Sequence, residues 1–421
     1  FLTLGCKANQ FETQAMEALV RARGHELADG APDVLVINTC TVTGEADRKC
    51  RQAIRRARRE NPDVLLAVCG CMAQTDPEAA KALGADVVGG SGDRRSFLDA
   101  IEERFSGASE YELPAHTRGE AFERLPAGEL EGRTRALLKV QDGCDNYCAY
   151  CIIPYARGHV RSLPPDAAVE EAVRLREKGC RECVVTGIEI SSYGRDLPGG
   201  PDLVTLTAAL AEAAGGMRIH LGSLEPRTVD ERFCETLAGY ENLCPHFHLS
   251  LQSGCDETLR RMRRRYTTAQ FLHSVELLRA AFPNCLITTD LITGFPGETE
   301  EEFAQTLAFL ERAAFGAVHV FPYSERRGTP AAAMEQLPRA LREARARTAI
   351  AAAARTKQAF LRMQTGRTVP VLFEDVRGGV WRGHARNYVE VLLKSEEDLH
   401  NREIPVRLVS AGAENVTGIR P

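Results

Sequence analysis

The stretch "GCDNYCAYC" (residues 143–151) places Cys144, Cys148 and Cys151 four and three residues apart. Pairing three thiols in disulfides leaves one over, and a structural zinc ion asks for a fourth ligand. Three thiolates on one short loop can instead hold three irons of a [4Fe–4S] cluster and leave the fourth iron open to a bidentate group. The surroundings of the loop weigh these options. Directly before it runs "ALLKVQ" (136–141), and further apolar runs follow: "ECVVTG" (182–187), "MRIHLG" (217–222), "HFHLSL" (246–251), "LITTDLITG" (286–294) and "AVHVF" (317–321). Helical stretches such as 165–178 and 300–313 separate consecutive runs. Six strand–helix units suit a partial (β/α)6 barrel. The cysteine loop then leaves the C-terminal end of the first barrel strand, where barrel sites lie.

Upstream, "DVLVINTC" (33–40) and "DVLLAVCGC" (63–71) read as strands around a helix over "ADRKCRQAIRRARRENP", which Pro62 stops. That alternation predicts a parallel sheet with helices on its faces. A polar stretch at about 112–133, rich in Gly, Pro and Glu, reads as a linker. Downstream, an Ala- and Arg-rich helix at about 339–363 gives way to "TVPVLFED", "WRGHARNYVEVLL", "EIPVRLVSAG" and "NVTGIRP". These short alternating strands predict a small antiparallel β-barrel of the oligonucleotide-binding kind. The expected fold class is α/β in three domains: an N-terminal parallel-sheet domain (1–112), the partial barrel (133–363) and the terminal β-barrel (364–421).

The 421 residues are 44% hydrophobic and 26% charged, with a formal charge of -5. No apolar run is long enough to span a bilayer and no charged-then-apolar leader opens the chain, so neither a membrane span nor secretion is expected. Fourteen cysteines without a leader read as reduced thiols of a cytoplasmic protein, which favours metal or redox chemistry over a disulfide framework. The mild acidity argues against wholesale coating of nucleic acid but not against local basic patches.

A second cysteine set lies upstream: Cys6 in "TLGCKANQFET", Cys40 in "VINTCTVTGEADRK" and Cys71 in "CGCMAQ". Each sits at or just after the end of an expected strand, so three loops at one sheet edge can converge. Together with "GCDNYCAYCIIPYARG" (143–158), these words resemble the methylthiotransferase family of radical S-adenosylmethionine enzymes over essentially the whole chain. The resemblance implies that Cys144, Cys148 and Cys151 hold the radical [4Fe–4S] cluster and that Cys6, Cys40 and Cys71 hold an auxiliary one. It also implies that the last domain is the RNA-binding TRAM module. The family word Gly-Cys-Met-Ala-Gln makes Cys71 the ligand and leaves Cys69 as a small core residue. Cys50, Cys180, Cys183, Cys234, Cys244, Cys255 and Cys285 read as ordinary free thiols, "CREC" (180–183) included.

By the same resemblance the strand-end loops shape the S-adenosylmethionine pocket. Tyr150 lies in the cysteine loop, Glu225 and Gln252 face the cofactor, Ser253 stands beside them, and Asp290 with Gly294, Phe295 and Pro296 shapes the adenosine or methionine part. Each of these can equally be ordinary loop capping. The runs "RKCRQAIRRARR" (48–59) and "RRMRRR" (260–265) read as solvated helix faces or as contacts to RNA phosphates. Trp381, Arg382, His384, Arg386 and Tyr388 form an aromatic–basic stretch that suits stacking on looped-out nucleotides, with a packed core Trp as the alternative.

The implied reaction uses S-adenosylmethionine twice. One molecule methylates sulfur on the auxiliary cluster, and another yields a 5′-deoxyadenosyl radical that removes hydrogen from an unreactive aromatic C–H. A reducing electron donor of the flavodoxin or ferredoxin type is implied with it. "CKANQFET", "GCDNYCAYCIIPYARG" and "GSLEP" are most similar to the branch acting on threonylcarbamoyladenosine next to the tRNA anticodon. The isopentenyladenosine branch has a Ser-His-Pro word where this chain has Leu224-Glu225-Pro226. A third branch modifies an aspartate of a ribosomal protein. A non-catalytic iron–sulfur RNA-binding protein ranks last, because it has no use for an open-iron loop.

Overall fold

A computed structural model of the chain describes residues 1–28, 30–107, 111–128 and 134–421; the end of the expected linker, 129–133, lies outside them. In the N-terminal region β1 (Leu2–Thr3), β2 (Val34–Thr39), β3 (Leu65–Gly70) and β4 (Val87–Val88) pair in parallel in the order β1-β2-β3-β4. Its helices are α1 (Lys7–Ala22), α2 (Gly44–Glu60), α3 (Cys71–Thr75), α4 (Pro77–Ala82) and α5 (Arg94–Phe105). Alternation along the strands builds two cores. Val36, Ala67 and Cys69 pack with Met16, Phe97 and Leu98 on one face, while Ile37, Leu66 and Val68 pack with Cys50, Ile54 and Met72 on the other. Helix α2 buries Cys50, Ile54 and Ala57 and is capped by Thr43, which accepts from the Ala46 N–H at 3.1 Å. Its Arg48, Arg51, Arg56 and Arg58 each pair with a carboxylate, so this basic run is largely a solvated, self-neutralised face.

The central region carries β5 (Arg135–Lys139), a short antiparallel pair β6 (Gln141–Asp142) and β7 (Arg161–Ser162), then β8 (Glu182–Thr186), β9 (Arg218–Leu221), β10 (His246–Gln252), β11 (Leu286–Thr293) and β12 (Ala317–Pro322). Two parallel sheets, β5-β8-β9 and β10-β11-β12, meet through single bridges at Ile219–Leu243 and Leu224–Leu249. The six strands thus form the expected partial barrel. Phe247, Leu249 and Leu251 point outward into the main core, which leaves His246, His248, Ser250 and Gln252 facing the barrel interior.

The C-terminal module is a closed barrel in the order β13-β14-β15-β17-β16, with β13 (Thr368–Arg377), β14 (Val380–Ala385), β15 (Glu390–Lys394), β16 (Glu403–Ala411) and β17 (Val416–Ile419). Two details differ from the sequence expectation. The β15–β17 pair is parallel, so the barrel is not wholly antiparallel. The run expected as one strand through "WRGHARNYVEVLL" breaks after Ala385, because Tyr388 adopts φ 68° and its N–H closes a turn on the Ala385 carbonyl at 2.9 Å. No helix among the described residues is long and apolar enough to cross a membrane.

The aromatic–basic stretch docks this module onto the partial barrel. Trp381 packs in the module core. Tyr388 stacks on His246 and His384, at ring separations of 4.8 and 4.7 Å, and its hydroxyl accepts from Arg135 Nη1 at 2.9 Å. Buried Arg218 donates to the carbonyls of His384 and Pro370 and pairs with Glu403 at 3.0 Å. Arg386 donates to the Glu241 carbonyl at 2.7 Å. His384, Arg386 and Tyr388 are therefore engaged with protein and not presented to a splayed nucleotide.

At this seam His220 Nε2 and His246 Nδ1 stand 2.6 Å apart, facing Glu182, Arg135, His248 and His384. Burial holds both imidazoles below their ordinary range, with Glu182 partly opposing it for His220 and the charge on His220 adding to it for His246. A depressed imidazole makes the unfolded chain bind more protons, so this contribution is complete above about pH 6.5 and declines as the pH falls below it. Thermal unfolding between about pH 8 and about pH 5 should show that decline. His246→Gln should flatten it, and an unchanged slope in that variant would assign the pH dependence to other groups.

Candidate cluster and cofactor site

The cysteine loop leaves the short β6 strand and is pinned by its own backbone. Gly143 has φ 72°, and a Cβ there would lie 1.8 Å from the His159 carbonyl oxygen, so no other residue fits this turn. The Cys144 N–H donates to the Gly158 carbonyl at 3.0 Å, Cys151 to that of Cys148 at 3.0 Å, and Ala149 to that of Met262 at 3.0 Å. Cys144 and Cys148 are buried and Cys151 half-buried. Burial, and then the facing Cys148, push the Cys151 thiol up to about 12, with the more distant Cys71 adding to it. Arg264, nearly buried, donates from Nη1 to Cys148 Sγ at 3.2 Å and from Nη2 to Glu225 Oε1 at 2.5 Å.

The second trio gathers at the C-terminal edge of the N-terminal sheet. Cys6 caps α1, Cys40 follows β2, and Cys71 opens α3 directly after β3. Gly5, at φ 120°, lets the first loop approach the second: a Cβ there would lie 2.7 Å from Cys40 Cβ and 3.1 Å from its sulfur. Burial pushes the Cys71 thiol up to about 12, against buried Arg157 and with Cys6 and Cys40 adding to it. The sequence thus brings three separated thiols into one neighbourhood. Cys69 lies in the core under α1 and α5. Cys50 Sγ donates to the Cys40 carbonyl at 3.3 Å and accepts its N–H at 3.2 Å, so that thiol braces the Cys40 loop.

Among the described residues no three His, Cys, Asp or Glu side chains are gathered tightly enough to hold a metal ion as they stand. A zinc ion needs its thiolates on one centre at about 2.3 Å, whereas a cluster distributes them over separate irons. Two all-thiol trios, buried except for the exposed Cys6 and the half-buried Cys151, each with an arginine N–H on one sulfur, fit the cluster as a donor set.

The expected pocket residues divide into two groups. Glu225, alone of these, lines a cleft of about 460 Å³, which it shares with Asn146, Cys148, Glu189, Ser191 and Arg264. Gln252 takes φ 67° at the irregularity of the β10–β11 ladder, and Asp290 reaches into the barrel to pair with His248 at 3.2 Å. The half-buried Tyr150 packs against the cluster of Ala149, Met262, Phe295, Tyr323 and Ala331. Ser253, Gly294, Phe295 and Pro296 instead back the site from within the protein. The Ser253 hydroxyl accepts from the Cys255 N–H at 3.3 Å and bonds Thr306. The Gly294 N–H donates to Glu298 at 2.7 Å, and Phe295 and Pro296 are buried. Sequence reasoning missed Arg264, read only as part of a basic run, and Arg157, present in the quoted motif without a role.

Residues 138–310 match the Radical SAM superfamily, and residues 1–90 match a family described as Uncharacterized protein family UPF0004. The chain is 38% identical to the threonylcarbamoyladenosine tRNA methylthiotransferase MtaB of Bacillus subtilis, over 98% of this chain and 94% of that one. The chain belongs to the tRNA methylthiotransferase family. Within that family it is 31% identical to the tRNA-2-methylthio-N(6)-dimethylallyladenosine synthase of Pelotomaculum thermopropionicum, over 99% and 96%. The fold also resembles the radical S-adenosylmethionine methyltransferase TsrM of Kitasatospora setae, solved with cobalamin and a [4Fe–4S] cluster (TM-score 0.57, 17% identity, 76% of this chain and 74% of that one). A methylthiotransferase of the radical SAM superfamily carries a [4Fe–4S] cluster and uses S-adenosylmethionine.

Proposed function

We propose that this methylthiotransferase acts on N6-threonylcarbamoyladenosine next to the tRNA anticodon and converts it to the 2-methylthio derivative. In this reading Cys144, Cys148 and Cys151 hold the radical cluster, and Cys6, Cys40 and Cys71 hold a second [4Fe–4S] cluster. Segments 1–112, 133–363 and 364–421 are its three domains. The enzyme is cytoplasmic, meets the tRNA anticodon stem-loop, and is reduced by a flavodoxin- or ferredoxin-type donor. The observation that carries the two-cluster part of the reading is the contact between the helix after the cysteine loop and Cys71 of the other trio. Arg157, on the helix α6 (Ile153–Arg157) that follows the cysteine loop, places its Nε–H on Cys71 Sγ at 3.2 Å. Two clusters on one short path are what joining methylated sulfur to a carbon radical requires.

Bound S-adenosylmethionine supplies the radical that takes hydrogen from an aromatic C–H beyond the reach of any side-chain base. The chain's own groups bind and orient. Glu225, held by Arg264 beside Cys148, offers a carboxylate to an ammonium group. The cleft wall also carries Arg195, Arg227, Arg263 and Arg265, all exposed and none in an ion pair among the described residues. Free guanidiniums suit RNA phosphates and the carboxylate of a threonylcarbamoyl group. An isopentenyl group calls instead for an apolar slot, and this cleft is lined mostly by charged and polar side chains.

The test is a comparison of anticodon stem-loops offered to the anaerobically reconstituted enzyme. Those bearing threonylcarbamoyladenosine should gain the methylthio group, and those bearing isopentenyladenosine should stay nearly unmodified. Equal turnover of both, or preference for the second, would overturn the substrate assignment and leave the chemistry standing.

A further inference from the structure

Arg157 is fully buried, and its N–H groups reach four separate segments. Nε donates to Cys71 Sγ at 3.2 Å. Nη2 donates to Asn9 Oδ1 at 2.7 Å and to Glu12 Oε2 at 3.2 Å. Nη1 bonds Glu12 Oε1 and reaches the Ser91 carbonyl and Asp142 Oδ2, both at 3.4 Å. Asn9, equally buried, extends the hub. Its Oδ1 accepts from Cys6 Sγ at 3.6 Å, and its Nδ2 donates to the Thr39 carbonyl, directly before Cys40, at 2.8 Å. One guanidinium therefore ties together the approaches to Cys6, Cys40 and Cys71, and it does so from the helix that ends the radical-cluster loop.

We propose that Arg157 is a positioning residue for the cluster of the N-terminal segment: it fixes the three cysteine loops in one arrangement and raises that cluster's reduction potential. The proposal rests on the assignment of Cys6, Cys40 and Cys71 to a second cluster. A hydrogen bond to a ligating sulfur and a nearby buried cation both favour the added electron, and hydrogen bonding to the sulfurs is among the factors that set cluster potentials. Arg94 provides an internal comparison. It is just as buried and pairs with the same Glu12 at 2.6 Å, yet it donates to the Gly90 carbonyl and to no cysteine. A purely structural role would make the two arginines equivalent.

The experiment uses a full-length background with Cys144, Cys148 and Cys151 replaced by alanine, so that a single cluster of about four irons remains. Reductive titration followed by electron paramagnetic resonance then compares Arg157→Gln, Arg157→Lys and Arg94→Gln in that background. Arg157→Gln should make the potential more negative, by at least a tenfold change in the reduction equilibrium, about 59 mV for one electron. Arg157→Lys keeps the cation while losing the fork, so it should move the potential the same way by less, and it carries the test if the Gln variant does not fold. Arg94→Gln should keep the reduction equilibrium within about threefold of the background. An unmoved potential in the Arg157 variants, or an equal shift in Arg94→Gln, overturns the proposal. Absence of iron from the background protein overturns the second-cluster assignment beneath it.

Discussion

Replacing Cys144, Cys148 and Cys151 together by alanine is expected to lower the iron content from about eight to about four per chain and to abolish reductive cleavage of S-adenosylmethionine. The loop is held by the Gly143 turn and by backbone hydrogen bonds to Gly158, Cys148 and Met262, none of which needs the sulfurs. The variant should therefore fold, and the loss should be chemical. Anaerobic iron analysis and chromatography of 5′-deoxyadenosine give the two readouts. Cleavage that persists would mean that the open-iron cluster lies elsewhere.

Alanine at Cys6, Cys40 or Cys71 is expected to separate the two half-reactions. The radical cluster stays, so 5′-deoxyadenosine still forms, while methylthio product falls below detection because no sulfur is held for transfer. Cys69→Ser is the control. Its thiol is buried between α1 and α5, and burial pushes its pKa up to about 11. Adding a buried hydroxyl there should cost roughly 1–3 kcal/mol of stability while both clusters and the product remain. Loss of the N-terminal cluster in Cys69→Ser with retention in Cys71→Ala would exchange the two assignments.

What the sequence revealed tracks what is local. Strands β5 and β8 to β12 announce themselves by short apolar runs between helices. The Cys144–Cys148–Cys151 loop is legible from its own spacing, whereas Cys6, Cys40 and Cys71, each at or just after a strand end, stand out only through the resemblance of the words around them. The turn at Tyr388 was hidden, since a non-glycine residue at φ 68° leaves no mark in an alternating pattern. The parallel β15–β17 pairing was equally hidden, because a strand does not encode its neighbour's direction. Trp381 and Tyr388 read naturally as an RNA platform, and only their contacts with the module core and with Arg135, His246 and His384 show them packed inside the protein. Ser253 and Phe295 carry the right sequence words yet lie behind the site. Arg157 meets Cys71 across 86 residues and Asn9 across 148, and Arg264 meets Cys148 across 116, relations no spacing rule encodes.

Nucleoside mass spectrometry of tRNA from cells lacking this protein reads methylthio transfer to threonylcarbamoyladenosine directly. The 2-methylthio derivative of threonylcarbamoyladenosine should disappear, its unmodified precursor should accumulate, and any methylthio-isopentenyladenosine should be unchanged. Persistence of the threonylcarbamoyl derivative together with loss of the isopentenyl one would contradict the account.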